Sequence, residues 1–333
     1  MTMATVATAI NASSFEFLQY VSKFGKQYAS LDEFNMREAL FKALDAEIQE
    51  WNAREDITST MGHNMMSDWT AEEKTAIRGY TPKQSFANPT HYAPEAYVQA
   101  LSTFDWCDTT NSKNKNECSP VKNQGACGSC WAFSATETVE SAVSIFHDVH
   151  PVLILSPQQL VSCSAAYGNH GCNGGNYTSA WDYLKTHAQE TEADYPYTSG
   201  SFGITGTCKA DTAKGVVKTQ STAYHNVGHS NSDIMSAIDR QPTSVGVDAS
   251  SNVFQNYHDG VITSGCGTSL DHAIVAVGYG TDAGQDYFLV RNSWGTSWGL
   301  SGFAKIGQSS TGGAPGYCGI NDDPAYPDVQ YPI

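Results

Sequence analysis

The first 106 residues of this 333-residue chain contain no cysteine, and all nine cysteines lie between Cys107 and Cys318. Basic side chains are also scarce: 18 stand against 34 acidic ones, and the net charge is −16. A charge of this sign argues against a nucleic acid as the partner. No apolar run reaches the roughly 18 residues that a membrane-spanning helix needs, which argues against a membrane span.

The amino terminus has few marks of a secretory signal. Residues 1–14 have neither a basic start nor a continuous apolar core. We therefore expect residues 1–12 to be a disordered or remnant N terminus. The composition is otherwise typical of a globular protein, since hydrophobic residues make up 40% of the chain and aromatic residues 11%.

An odd number of cysteines is most simply explained by four disulfide bonds and one remaining thiol. That pattern predicts an oxidising compartment and one reactive cysteine. The alternative, a cytosolic protein whose cysteines are all reduced, stays open on the count alone. Residues 1–14 have few marks of a secretory signal, which conflicts with the oxidising compartment that the cysteine count predicts. The sequence does not resolve this conflict.

Two amphipathic helices are predicted in the first third of the chain. Apolar residues recur at helical spacing over residues 17–24 and again over residues 34–51, with a start at Leu31-Asp32. Together they predict a helical unit over residues 13–68. Three prolines then interrupt a polar stretch, which predicts an extended segment over residues 69–100.

Residues 101–333 form the larger unit, and their pattern changes partway along. A long helix is predicted to begin near Ser129 or Cys130. After residue 240 the segments are apolar, β-branched and bounded by glycines, which predicts strands. A helical half followed by a sheet half suggests two lobes with a site between them.

The segment Cys127-Gly128-Ser129-Cys130-Trp131 carries the main chemical signal. A Cys-x-x-Cys pair can be a disulfide-exchange centre, as in thioredoxin-like oxidoreductases. Against this, no apolar strand precedes the pair, and seven other cysteines accompany it. The favoured interpretation pairs Cys127 elsewhere and leaves Cys130 free in the first turn of a helix, whose positive end stabilises a thiolate.

Several separated segments resemble papain-like cysteine peptidases, and most closely their cathepsin L-like branch. The segments are QGACGSCWAFS, LSPQQLVSC, GCNGG, LDHAIVAVGYG, VRNSWGTSWG and YCGI. His272 and Asn292 follow Cys130 at about the separation that this family shows. The resemblance implies an α+β fold with a helical left lobe and a β-barrel-like right lobe. It also implies a peptide-bond hydrolase that needs no cofactor and no metal.

The resemblance assigns the catalytic residues. Cys130 would attack the peptide carbonyl as a thiolate, and His272 would protonate the leaving amine. Asn292 would orient the imidazole, and Trp294 would shield that hydrogen bond from water. Gln124 would donate its amide to the developing oxyanion, together with the backbone N–H of Cys130. A buried histidine without a role is the alternative for His272, and its position within a matching motif argues against it.

The same resemblance implies three disulfide bonds and leaves Cys107 and Cys118 over. A surface loop closed by these two residues explains both the extra pair and the unusual length of the stretch before Gln124. The expected bonds are Cys127–Cys172, Cys163–Cys208, Cys266–Cys318 and Cys107–Cys118.

The helical unit resembles the inhibitory propeptides of the cathepsin L-like branch. The matching positions are Glu33, Arg37, Phe41, Ile48 and Asn52, followed by Gly62, Asn64 and Asp68, while Leu44 and Met66 depart from the pattern. The resemblance implies that this unit caps the cleft and that residues 69–100 pass through it, so that the chain inhibits itself. Many carboxylates fit activation by acid, with cleavage between Ala93 and Thr103.

Substrate choice in this family depends on the pocket for the second residue upstream of the cleaved bond. Asp323 is expected at its base, where the branch usually has a small residue, so Leu or Phe should be accepted and Arg tolerated near neutral pH. In the alternative, Asp323 faces solvent beside Asp322. The other expected substrate-binding residues are Gly174, Gly175, Asn176, Tyr177, Gly246, Leu270 and Asp271.

Further expectations follow from the same family. The absence of a long insertion between Cys130 and Cys172 favours an endopeptidase acting on proteins and peptides. A monomer is expected, in a lysosome, a digestive vacuole or outside the cell, with cystatin-type proteins as inhibitors. Of the two glycosylation sequons, at Asn11 and Asn176, the second should stay unused because a glycan would crowd the cleft. An inactive papain-like binding protein is the non-enzyme alternative, but each catalytic position holds the expected residue.

Overall fold

A computed structural model describes residues 12–83 and 103–333. Within these ranges, none of the helices is long and apolar enough to cross a membrane. The α-helices are α1 Ala12–Lys23, α2 Leu31–Asn52, α3 Ala71–Ala76, α4 Cys130–His147, α5 Pro157–Cys163, α6 Tyr177–Leu184, α7 Asn231–Arg240 and α8 Asn252–Gln255. The strands are β1 Ser59–Met61, β2 Thr103–Asp105, β3 Lys218–Asn226, β4 Thr243–Val247, β5 Tyr257–Ile262, β6 His272–Asp282, β7 Gln285–Arg291, β8 Phe303–Gly307 and β9 Ala325–Gln330.

The N-terminal unit, residues 12–83, contains the two predicted helices, α1 and α2. They enclose a small aromatic core of Phe17, Tyr20 and Phe41. The second helix begins at Leu31 as expected, but its cap is the preceding serine. The hydroxyl of Ser30 accepts the backbone N–H of Glu33 at 3.1 Å, which satisfies one of the free donors at the helix start.

A third helix in this unit corrects the prediction of an extended segment from residue 69. Residues Ala71–Ala76 form α3, and a capping box starts the helix. The Thr70 hydroxyl accepts the backbone N–H of Glu73 at 3.3 Å, and the Glu73 carboxylate accepts the N–H of Thr70 at 2.8 Å. The Thr-x-x-Glu spacing is a start signal that the sequence already contains.

The strands form an open mixed sheet in the order β1-β5-β8-β7-β6-β4-β9-β3, with β2 paired to β6. The predicted α+β architecture, with helices in one half and strands in the other, is confirmed. The sequence did not predict β1, the edge strand that the N-terminal unit contributes, whose Ser59 lies opposite Gly260 of β5. It also missed α5, α6 and β3, which lie in a turn-rich region.

Helix α4 lies between the two lobes and is buried from Cys130 to Ile145. It packs on α5 and α6 on one side and on β6 and β9 on the other. This burial explains why the helix is apolar or small on nearly every face. The start of α4 therefore opens at the junction of the lobes, where α/β and two-lobed enzymes commonly place a site.

The N-terminal unit covers both lobes. Its residues Ile48, Met61, Met66 and Ile77 belong to the hydrophobic cluster of the sheet lobe. Its Tyr80 belongs to the cluster of the helical lobe, beside Cys130. The unit thus joins the two cores across the cleft.

Within the described residues the cysteines form four disulfide bonds, and Cys130 keeps a free thiol. Cys127 is bonded to Cys172, so the two cysteines of the Cys-x-x-Cys segment do not pair with each other. This bonding removes the basis for a thioredoxin-like exchange centre. The bonds are Cys107–Cys118, Cys127–Cys172, Cys163–Cys208 and Cys266–Cys318.

Candidate active site

The thiol of Cys130 lies at the first residue of α4, after Ser129. Its side chain is fully buried, and the helix points its positive end toward it. Burial raises the pKa of the Cys130 thiol to about 11, although hydrogen bonds with the backbone at Ala273, Gly79 and Trp131 act in the opposite direction. The contact with Gly79 shows that the N-terminal unit reaches the thiol. In this covered state the thiol keeps its proton.

The imidazole of His272 is held by an amide on the next strand end. Its Nε2 lies 2.8 Å from Oδ1 of Asn292, which follows β7. The same Oδ1 accepts the backbone N–H of Ser293 at 2.8 Å, so it is an acceptor and Nε2 carries the proton. Nδ1 therefore holds the free lone pair. It is buried and has no hydrogen-bond partner among the described residues.

His272 is the first residue of β6, and the residue after it, Ala273, contacts the Cys130 thiol through its backbone. The strand thus brings the imidazole to the start of α4. Burial lowers the pKa of His272 to about 4. The hydrogen bond to Asn292 acts in the opposite direction, whereas the positive charge of Arg78 lowers the pKa further. The covered site accordingly holds a neutral thiol and a neutral imidazole.

An aromatic cluster packs against the imidazole of His272, whose hydrogen bond to Asn292 is fully buried. The Trp294 ring lies 4.5 Å from the imidazole, centroid to centroid. Phe254 and Trp298 pack edge-on against that indole. Such a cover excludes water, and a hydrogen bond is stronger in the resulting low-dielectric environment.

Gln124 presents its side-chain amide to a backbone carbonyl of the N-terminal unit. Its Nε2 donates to the carbonyl oxygen of Ile77 at 2.7 Å and to that of Cys127 at 2.8 Å. The Ser293 hydroxyl donates to Oε1 of Gln124 at 2.6 Å and fixes the orientation of the amide. A fully buried amide with this geometry can stabilise negative charge on a carbonyl oxygen.

The chain of the N-terminal unit passes through the cleft as an extended strand. Gly175 donates its N–H to the carbonyl of Gly79 at 2.8 Å, and its own carbonyl accepts the N–H of Thr81 at 2.9 Å. On the other side, the N–H of Tyr80 donates to the carbonyl of Asp271 at 2.9 Å. A Cβ at Gly79 would overlap the carbonyl group of Gly128, so only glycine allows this approach. A Cβ at Gly174 would in turn lie 2.9 Å from the Gly79 oxygen.

An ion pair secures the same segment at the edge of the cleft. The guanidinium of Arg78 lies 2.7 Å from the carboxylate of Asp271, the residue before His272. Burial raises the pKa of Asp271, and the Arg78 charge opposes this rise. The pair places a positive charge near the imidazole and disfavours its protonation.

The side chain of Tyr80 fills a pocket formed by expected substrate-binding residues. Its ring stacks on Tyr177 with centroids 5.0 Å apart, close to Gly246 and Leu270. Its hydroxyl donates to the carboxylate of Asp323, which is 6% exposed and thus does not face solvent. The remaining expected residue, Asn176, reaches the Tyr80 hydroxyl at 3.4 Å and the Thr81 carbonyl at 3.0 Å through Nδ2.

Several residues of the site carried no assigned role in the sequence, among them Ser293, Gly79 and Tyr80. Ser293 orients Gln124, while Gly79 and Tyr80 belong to the strand in the cleft. Ser293 lies within the matched VRNSWGTSWG segment, so a signal was present. For Gly79 and Tyr80 the sequence offers only an Arg-Gly-Tyr triplet after a helix. The structure finds no cluster of metal-binding side chains in the residues that it describes.

Comparisons with known proteins agree with this geometry. The model of the papain family cysteine proteases matches residues 101–328, and that of the cathepsin propeptide inhibitor domain matches residues 17–73. Digestive cysteine proteinase 2 of Homarus americanus is 36% identical over 329 residues, which cover 96% of this chain and 97% of that protein.

Solved structures of precursors are similar over the same length. Digestive procathepsin L 3 from the larval midgut of Tenebrio molitor has a TM-score of 0.81 at 30% identity, covering 96% of this chain and 99% of that one. A recombinant stem bromelain precursor has a TM-score of 0.81 at 31% identity, with the same coverage. Both the cleft and its cover therefore have counterparts in precursors of known structure.

Proposed function

This chain belongs to the papain family of cysteine proteases, and from that premise we propose that it cleaves internal peptide bonds through Cys130 and His272. The chain is a zymogen, since a propeptide inhibitor domain precedes the protease domain. The observation that carries the proposal is the arrangement of a free thiol at a helix start, an imidazole tethered to Asn292, and the Gln124 amide bonded to a backbone carbonyl.

In the first half of the reaction, Nδ1 of His272 takes the proton of Cys130. The thiolate then attacks the carbonyl carbon of the substrate, and the electron pair of the C=O bond moves to oxygen. The Gln124 amide and the Cys130 backbone N–H stabilise that oxyanion. As the C–N bond breaks, the imidazolium gives its proton to the departing amine, and a thioester remains on Cys130.

In the second half, a water molecule replaces the amine. His272 removes a proton from the water as its oxygen attacks the thioester carbon, and the same oxyanion donors act again. The C–S bond then breaks, and Cys130 leaves as a thiolate beside the protonated imidazole. The carboxylic acid product departs, and the thiolate–imidazolium pair is ready for a further cycle.

The covered site favours neutral forms of both groups, and burial is the main cause for each. We infer that departure of residues 77–80 admits water, which lowers the pKa of the thiol and raises that of the imidazole. Removal of Arg78 also takes a positive charge away from His272. The ion pair needed for attack thus forms after the propeptide has left.

Inhibition by the propeptide, the name used from here for the N-terminal unit, is both steric and specific. The carbonyl of Ile77 accepts the hydrogen bond of the Gln124 amide. The side chain of Tyr80 fills the pocket that ends at Asp323. Arg78 forms an ion pair with Asp271. We propose that acid releases this segment by protonating carboxylates that hold the propeptide together, followed by cleavage between Ala93 and Thr103. Residues 84–102, which include nearly all of that stretch, lie outside the described residues. So do residues 1–11, which include the Asn11 sequon and most of the expected disordered or remnant N terminus.

The compartment and the partners follow from the relatives and the chain itself. A digestive proteinase of Homarus americanus and a digestive procathepsin of Tenebrio molitor are similar to this chain. We propose digestion of proteins and peptides in a lysosome, a digestive vacuole or outside the cell, by a monomer that cystatin-type proteins inhibit. The Asn176 sequon should stay unglycosylated, because its side chain is buried and bonded to the propeptide.

Incubation at pH 4 tests the proposal, with a fluorogenic Phe-Arg dipeptide as the reporter and N-terminal sequencing of the products. We expect loss of the propeptide, hydrolysis of the reporter and, with an epoxide inhibitor, one adduct at Cys130. A Cys130→Ala proenzyme is the matched control and should remain at full length. Wild-type protein that stays intact and inactive at pH 4 would contradict acid activation, and an adduct at another cysteine would contradict the assigned nucleophile.

A further inference from the structure

The pocket that holds Tyr80 is a flat slot. On one face the ring of Tyr177 lies nearly parallel to that of Tyr80, at an interplanar angle of 14°. The backbone at Gly246 also comes so close to the ring that a Cβ there would lie 2.7 Å from Cε1 of Tyr80 and 2.9 Å from Cδ1 of Leu270. The Tyr80 ring is thus closely packed by Tyr177 and by the backbone at Gly246, which favours a planar side chain over a branched one.

A carboxylate closes the end of the slot. Within the described residues, the Tyr80 hydroxyl is the one hydrogen-bond donor to the carboxylate of Asp323. The neighbouring Tyr177 hydroxyl is directed instead to the backbone carbonyl of Asp323. Asn176 approaches the Tyr80 oxygen at 3.4 Å from the other side. A buried carboxylate is costly to leave without a donor, so the closed end demands a hydroxyl or a cation.

We propose that this slot selects tyrosine at the second position before the cleaved bond, and that Asp323 recognises the phenol hydroxyl. The proposal rests on the proposed protease function and deepens it by naming the preferred side chain. Tyr80 of the propeptide then acts as the internal competitor for this subsite. Its ring and its hydroxyl both match the slot that a substrate tyrosine would enter after the propeptide has left.

Other side chains use only part of the slot. Phenylalanine fills it but leaves Asp323 buried without a donor, and leucine also fails to stack on Tyr177. Sites built to bond a substrate hydroxyl discriminate strongly against analogues that lack it. A substrate tyrosine can donate a hydrogen bond to the charged carboxylate of Asp323, and phenylalanine cannot. We therefore expect kcat/KM to favour tyrosine over phenylalanine by about ten- to a hundredfold.

The test compares fluorogenic dipeptides that share arginine next to the cleaved bond and carry tyrosine, phenylalanine, leucine or arginine before it. The acid-activated enzyme should show the highest kcat/KM for Tyr-Arg, with the Tyr/Phe ratio above about ten. Equal rates for Tyr-Arg and Phe-Arg would overturn the proposal while leaving the protease function intact. No hydrolysis of any of the four substrates would overturn both.

Variants at Asp323 separate hydroxyl recognition from other causes of the preference. Asp323→Ala should bring the Tyr/Phe ratio close to one, whereas Asp323→Asn keeps an acceptor oxygen and should retain a preference of several-fold. Asp322→Ala is the matched control on the adjacent carboxylate and should leave the ratio unchanged. A ratio that survives Asp323→Ala would overturn the role of this residue. If that variant does not fold, the Asp323→Asn and wild-type ratios still decide.

The pH dependence distinguishes recognition of a hydroxyl from recognition of charge. Burial raises the pKa of Asp323 to about 6, and the negative charge of Asp322 adds to this rise. The hydrogen bond from Tyr80 and the positive charges of His229 and Lys83 act in the opposite direction. A phenol can donate to the carboxyl group in either protonation state, but an arginine needs the carboxylate. The bond to the carboxylate is the stronger one, so the Tyr/Phe ratio should be highest near pH 7 and smaller, but still above one, at pH 5. Over the same range, hydrolysis of Arg-Arg should rise with pH relative to Phe-Arg. A Tyr/Phe ratio that falls to one at pH 5 would overturn the proposal.

Discussion

The side-chain amide of Gln124 donates a hydrogen bond of 2.7 Å to the carbonyl oxygen of Ile77. Gln124 belongs to the protease domain and Ile77 to the propeptide. The propeptide thereby occupies the donor that we assign to the oxyanion of the reaction. With this assignment, we expect one residue to serve both in catalysis and in holding the inhibitor, and both roles can be measured.

Replacement of Gln124 by alanine should lower kcat by about a hundred- to a thousandfold, as loss of one oxyanion donor does in other proteases. KM should change little, because the donor acts on charge that develops after binding. Steady-state kinetics of the activated variant measure both constants. Ser293→Ala should have a smaller effect of the same kind, because Ser293 only orients the amide. Gln220→Ala, at an exposed position of β3, is the control. A rise in KM without a loss of kcat would contradict the assignment.

The Asp68 carboxylate connects the parts of the propeptide, and its removal should allow activation at higher pH. Asp68 accepts Tyr20 at 2.6 Å, Lys26 at 2.8 Å and Tyr28 at 2.9 Å. Burial by itself would raise its pKa, but the bonds from Lys26 and Tyr20 outweigh burial, and the pKa of Asp68 lies below its usual range. Its stabilising contribution is thus present above about pH 4 and is lost as the pH falls through the folded-state pKa.

Asp68→Asn removes that charge at every pH and should destabilise the propeptide by about 2 kcal/mol. The proenzyme should then convert to its mature form at a pH where the wild type is still intact, as gel analysis across a pH series would show. Glu55→Gln, an exposed carboxylate of the same unit, is the control and should behave as wild type. An unchanged conversion profile for Asp68→Asn would argue that acid acts elsewhere.

His63 offers a second site for acid to act on the propeptide. Its ring stacks on Phe41 at 4.1 Å, and its Nε2 lies 3.1 Å from the Asp45 carboxylate. Nδ1 is buried with no partner in the part of the chain that the structure describes. Burial lowers the pKa of His63, although Asp45 acts in the opposite direction. The neutral ring is favoured in the fold, so stability is lost as the pH falls below the unfolded value of about 6.5.

A ring that cannot be protonated should therefore delay activation. His63→Phe keeps the stacking and should move the midpoint of acid conversion to lower pH, by a few tenths of a unit up to about one unit. His147→Phe, at an exposed position outside the propeptide, controls for the loss of a histidine. A midpoint that stays in place for His63→Phe would show that His63 takes no part in the response.

The Cys107–Cys118 bond should contribute to stability without contributing to catalysis. It closes a loop with a sequence separation of 11 residues, for which chain entropy predicts about 3 kcal/mol. The Cys107→Ser, Cys118→Ser double variant should unfold at lower denaturant concentration and keep kcat/KM within about twofold. Lys115→Ala removes an exposed ion pair with Asp148 in the same region and should leave the denaturant midpoint nearly unchanged, because solvent screens such a pair. A loss of activity in the folded double variant would assign the loop a role in the site.

Local signals in the sequence were sufficient to predict the helices α1, α2 and α4 and the strands β4, β6 and β7. Helical and alternating periodicities depend on residues only a few positions apart, so they can be recognised in the sequence alone. The same holds for α3, whose Thr70–Glu73 capping box was readable although the segment was predicted to be extended. The family motifs around Cys130, His272 and Asn292 likewise indicated the protease family.

Only the tertiary structure decided the relationships between residues that lie far apart in the chain. The bond from Gln124 to Ile77, the pairing of β1 with β5 and the insertion of Tyr80 above Asp323 join segments separated by tens to hundreds of residues. Each depends on how burial, charge and backbone hydrogen bonds are satisfied across the whole fold, and no spacing along the chain encodes that balance. The sequence by itself determined the peptidase family and indicated Cys130 as the expected nucleophile. The fold decided which propeptide residues cover that chemistry and how the slot beside it ends.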